Sequence, residues 1–120
     1  MNRTTKIVFR EKEYEITFPN NRQYIEIHSL KSKLSPRYQE LGYSGIESGY
    51  AQQLVDTISH FKILCPDLEK TINVPMNDLS LEDGLELVGI YTKQFRPWYD
   101  DLLSFIFKPK VEDVKEKNNE

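Results

Sequence analysis

The chain has 120 residues, 16 of them basic and 19 acidic, for a net charge of −3. That length gives one domain with a core of its own, and it needs neither disulfides nor a metal to fold. The single cysteine, Cys65, excludes an internal bridge, and the mild acidity argues against a nucleic-acid-binding protein.

The N-terminal stretch has no apolar leader, and no apolar run approaches the roughly 20 residues of a membrane span. A cytoplasmic protein is the expectation. Charge is uneven along the chain: residues 1–40 carry eight Lys/Arg against five Asp/Glu, and residues 41–120 carry eight against fourteen.

In chain order, a β-hairpin comes first. Ile7 and Phe9 alternate with Lys6, Val8 and Arg10, and Tyr14, Ile16 and Phe18 alternate with Glu13, Glu15 and Thr17. Glu11-Lys12 is the turn between them, without the Asn-Gly or Asp-Gly signal. Pro19-Asn20-Asn21 closes the second strand.

Ile25 and Ile27 then alternate as in a third short strand, and Leu30 and Leu34 are spaced as in a helix. The spacing predicts a strand passing into a short helix near His28, with a new turn at Ser35-Pro36.

The strongest helix follows. Ser44-Gly-Ile-Glu47 matches a capping box, with Ser48 as a rival cap. Tyr50, Ala51, Leu54, Val55, Ile58, Phe61 and Leu64 form its core stripe, and Cys65-Pro66 ends it.

One further turn is expected over Asp67–Thr71, then an extended connector to Pro75. Ser80-Leu-Glu-Asp83 caps the next helix, whose apolar side is Leu81, Leu85, Leu87, Val88, Tyr91 and Phe95. Gly84 and Gly89 each weaken that helix by about 1 kcal/mol relative to Ala, which points to close approach of a neighbour. Pro97 breaks or kinks the chain before a last helix over 98–107. The mixed-charge segment 108–120 lacks the apolar content to offset its ordering entropy, so a disordered tail is expected. The whole is an α+β fold: an antiparallel hairpin, or three short strands if Ile25 and Ile27 count, then three to four helices in one domain over 1–107.

Chemistry is weakly signalled. His60 and Cys65 lack the further ligands a structural zinc site needs, and no nucleophile elbow or phosphate-binding glycine loop is present. His60 reads as a helix-surface or interface residue and Cys65 as a small buried hydrophobe. Asp100-Asp101 and Glu82-Asp83 are neighbours on helices, so neither pair converges on one atom. No catalytic, cofactor-binding or metal residues are assigned. Arg22, Lys31, Lys33 and Arg37 with Tyr24 and Tyr38 form the one basic cluster.

The unusual feature is the run from Phe95 to Phe107, which holds Phe95, Trp98, Tyr99, Phe105 and Phe107. Its apolar residues cover more than one side of a helix. Phe95, Trp98, Tyr99, Leu102, Phe105 and Ile106 are therefore the candidate partner-binding residues, for a client protein or a second copy.

Three stretches are similar to small proteins of tailed bacteriophages: residues 18–34 (FPNNRQYIEIHSLKSKL), 55–68 (VDTISHFKILCPDL) and 87–99 (LVGIYTKQFRPWY). With the hairpin followed by helices, residues 6–107 resemble tail assembly chaperones. The resemblance implies a non-enzymatic assembly factor, no cofactor, and a virion protein such as the tape-measure protein as client. Two alternatives stay open: a small phage structural protein, and a host-interaction adaptor that binds a host protein or nucleic acid through the basic N-terminal part.

Overall fold

A computed structural model describes the backbone over residues 2–41 and 46–119 and the side chains over residues 2–36 and 49–107. The fold is α+β. Strands β1 (Thr4–Phe9) and β2 (Lys12–Thr17) form an antiparallel hairpin, with Ile7 opposite Tyr14 and Phe9 opposite Lys12. Ile7, Phe9, Tyr14 and Ile16 are buried, as period-two alternation requires. The two-residue turn is Arg10-Glu11, one position earlier than the expected Glu11-Lys12. Both residues lie at positive φ, 52° and 66°, which matches the right-handed strand twist but strains side-chain-bearing residues. Arg10 is held there by Asp83 at 2.7 Å and Glu86 at 2.9 Å.

Helix α1 spans Asn21–Leu41 without interruption, so the third strand is not formed. Its start is a reciprocal cap: Asn20 Oδ1 accepts from the Gln23 N–H at 2.8 Å, and Gln23 Oε1 accepts from the Asn20 N–H at 3.1 Å. The helical period buries Ile27 and Leu34 and leaves Ile25 66% exposed. Pro36 lies inside this helix and restarts nothing.

Helix α2 (Ile46–Leu64) carries the expected stripe, with Ala51, Val55, Ile58 and Phe61 buried. The expected cap at Ser44–Glu47 lies outside the described side chains, as does that of Ser48. The helix stops before Cys65-Pro66 and is followed by a short helix α3 (Leu68–Ile72), closed by Asn73 in the left-handed region. Ile72, expected in the extended connector, is the last residue of α3, and a 3₁₀ turn at Met76–Asp78 follows Pro75.

Helix α4 (Leu81–Ile90) begins at the predicted cap, where the Asp83 N–H donates to Ser80 Oγ at 3.1 Å. Leu87 and Val88 are buried, whereas Leu81 and Leu85 face outward. Of its two glycines, Gly84 meets a neighbour: a Cβ there would stand 2.5 Å from Tyr50 Oη, while one at Gly89 meets nothing within 4 Å.

Pro97 does not break the chain. A π-helical turn over Tyr91–Phe95 leads straight into α5 (Arg96–Asn119), with the Arg96 N–H donating to the Tyr91 carbonyl five residues back. Proline is tolerated in the first turn of a helix, where its fixed φ fits and its missing N–H is an orphan donor anyway. The wider π turn carries the helical path across that point. The backbone of α5 continues to Asn119, beyond the boundary read at residue 107.

The core gathers one face of the hairpin, the α2 stripe, α3, and the α4–α5 rod. Phe61, Tyr91, Phe95 and Tyr99 stack at its centre, with ring centroids 5.0–5.6 Å apart from Phe95 to the other three. Offset and edge-on rings of this kind add stabilisation beyond their buried area. No helix among the described residues is long and apolar enough to cross a membrane.

Candidate functional site

The six residues proposed from the aromatic run fall into two groups. Phe95, Tyr99 and Leu102 are buried in the core and cannot contribute to a surface. Tyr91, Phe95 and Tyr99 are four residues apart, so they share the side of the α4–α5 rod that faces the core. Trp98 and Ile106 are half-buried, and Phe105 is 56% exposed. Phe107, outside that set, is 57% exposed.

The exposed apolar part of α5 borders a cleft of about 350 Å³. Leu103, Ile106 and Phe107 form one wall, from residues three and four apart on a single helix face. Arg3, Phe18, Pro19, Asn20, Asn21 and Tyr24 complete it.

Each wall is held in place. The Phe18 N–H donates to the Arg3 carbonyl at 2.8 Å, which extends the hairpin by one rung. Trp98 Nε1–H donates to the Asn2 carbonyl at 2.9 Å, which ties the residues ahead of β1 to α5. Phe18 packs edge-on to Trp98 at 6.0 Å and against Tyr99 at 5.3 Å. Tyr24 leans edge-on against His28 at 4.5 Å, and Pro19 is buried behind the capping box. The Arg3 guanidinium stands 5.9 Å over the Phe18 ring. Among the described residues the cleft therefore offers an apolar floor, one cation and no acidic residue.

Sequence reasoning missed Arg3, Phe18 and Tyr24 as a group. Arg3 and Ile106 line one cleft because the residues ahead of β1 are tied to α5 through Trp98. The local signal that existed was the Asn20–Gln23 cap, which places Tyr24 on the first turn of a helix and not on a strand.

A second cluster lies inside the core. His60, expected on a surface, is buried. Its Nδ1–H donates to the Asp56 carbonyl at 2.8 Å, and the Tyr91 hydroxyl lies 3.1 Å from the same nitrogen. A carbonyl only accepts, which fixes the proton on Nδ1. Arg96 Nη1–H donates to the Tyr91 hydroxyl at 3.0 Å. Burial is the main cause that lowers the His60 pKa to about 4, so the ring is neutral at pH 7. Burial likewise pushes the Cys65 thiol up to about 11, which leaves it protonated and unreactive. Tyr91 and Arg96 also serve packing and the π turn, and this cluster opens onto no described cleft.

The carboxylates are engaged structurally: Asp83 with Arg10, and Asp100 with Arg96 at 3.1 Å. Among the described residues, no three His, Cys, Asp or Glu side chains gather as a metal site would require. In the basic cluster, Arg22 pairs with Glu26 at 3.2 Å and Lys31 with Asp56 at 2.6 Å. The side chains of Arg37 and Tyr38 lie outside the described residues. Comparison with known protein families, curated proteins and solved structures finds no match.

Proposed function

We propose that this chain is a non-enzymatic assembly factor that binds a client protein along the outer face of α5 and the cleft beside it. The observation that carries the reading is Phe107, more than half exposed, on one face of α5 with half-buried Leu103 and Ile106. Single exposed apolar residues are ordinary on protein surfaces, but a contiguous patch beside a cleft marks a contact site. Large rigid rings supply most of the energy at such sites.

The finer reading follows the resemblance of residues 6–107 to tail assembly chaperones. The chain would shield an apolar helical stretch of a virion protein, such as a tape-measure protein, until assembly. Nothing in that role needs a catalytic group or a cofactor.

The test is affinity capture from cells that express the chain natively, using the wild type and Ile106→Asp/Phe107→Asp. Both positions lie outside the fully buried core, so the variant keeps its fold by circular dichroism. Loss of one defined client, identified as a long helical virion protein, supports the reading. Retention of that client by the folded variant removes it.

A further inference from the structure

We propose that the cleft receives an acidic amphipathic segment of the client, whose apolar side lies on Leu103, Ile106 and Phe107 and whose carboxylate meets Arg3. This rests on the docking reading above and adds the chemistry of the occupant.

Charge complementarity selects the occupant. Four arginine side chains are described. Arg10, Arg22 and Arg96 each pair with a carboxylate, and Arg3 has no such pair among the described residues. Its ring contact with Phe18 holds the guanidinium at the rim of the cleft while its N–H fork stays available. A carboxylate matches that fork in geometry as well as charge.

Asn20 and Asn21 bring the positive end of the long helix α1 into the same lining, which favours an anion in addition. The apolar wall on α5 runs along one helix face from Leu103 to exposed Phe107. A small anion held by Arg3 would leave that wall uncovered, and an amphipathic helix laid along α5 covers it.

A second copy of the chain is a poorer occupant. A two-fold contact applies the same patch to itself, and among the described residues this patch carries a cation with no acid to answer it. A basic segment is excluded by the same like-charge repulsion.

The experiment uses the full chain and two fluorescent amphipathic helical peptides. One is built from Leu and Glu, and its twin carries Lys for every Glu. Fluorescence anisotropy is read on the wild type, Arg3→Glu and Ile106→Asp, with light scattering on the unliganded protein. The expected result is binding of the Leu/Glu peptide, weakened about tenfold by Arg3→Glu and by added salt. Arg3→Glu gains the Leu/Lys peptide, and Ile106→Asp binds neither. The Arg3→Glu backbone still accepts from Phe18, so the hairpin is kept.

Three results overturn the proposal: equal or tighter binding of Leu/Lys by the wild type, no binding of either peptide, or a dimer that Ile106→Asp dissociates and Arg3→Glu does not. Equal binding of both peptides, lost in Ile106→Asp, removes the acidic occupant and leaves the docking reading standing. Absence of binding together with retained client capture by the Ile106→Asp/Phe107→Asp variant removes both.

Discussion

Gln94 closes the outer edge of β1 by pairing with both backbone groups of Val8. Its Oε1 accepts from the Val8 N–H at 2.8 Å, and its Nε2–H donates to the Val8 carbonyl at 3.2 Å. A side-chain amide here stands in for a neighbouring strand. It is placed by the π turn, which links the hairpin to the α4–α5 rod. An open edge would be a template for pairing with another chain. Gln94→Ala is expected to cost about 1–2 kcal/mol in urea unfolding and to speed hydrogen exchange at Val8. Unchanged exchange at that amide would show the pair to be incidental.

The two glycines of α4 make opposite predictions. Gly89→Ala adds a Cβ into open space and should stabilise by about 1 kcal/mol. Gly84→Ala forces the Tyr50 hydroxyl to move and should give none of that gain. Equal midpoints for the two variants in chemical denaturation would contradict the close approach of α2 to α4.

The hairpin turn holds two residues in the left-handed region. Glu11→Gly relieves that strain and should stabilise by about 1 kcal/mol, measured by thermal melts. Arg10→Gly relieves the same strain but loses the contacts with Asp83 and Glu86, so it should not match Glu11→Gly.

His60 makes stability depend on pH. Its pKa falls from 6.5 in the unfolded chain to about 4 in the fold. Between these values the unfolded state binds more protons. The contribution is therefore fully present above pH 6.5 and is lost as the pH falls toward 4. The full effect is about 3 kcal/mol. His60→Gln should flatten this part of the profile relative to the wild type. Parallel profiles from pH 7 to 4 would mean that the ring is not buried as described.

Much of this architecture can be read from local pattern. The alternation of Ile7, Phe9, Tyr14 and Ile16, the Ser80 cap and the stripe from Ala51 to Phe61 all reappear in the fold. Two segments mislead for physical reasons. Ile25 and Ile27 mimic a strand, but only Ile27 is buried, and the Asn20–Gln23 cap commits the segment to a helix. Pro97 mimics a break, because a π turn leaves no marker in composition. The candidate site is harder still. The aromatic run is visible, but which of its rings are enclosed is decided by what packs on them, Phe61 of α2 against Phe95 and Phe18 against Tyr99. Arg3 and Phe18 join Ile106 only through tertiary packing of β1, the start of α1 and α5.

On this reading a client docks on the α5 face and its cleft. Hydrogen exchange, followed by mass spectrometry on the captured complex and on the free chain, tests it most directly. New protection is expected only at residues 2–4, 18–24 and 103–107, with the α4 face at Leu81 and Leu85 unchanged. Protection centred on α4, or none along α5, would contradict it.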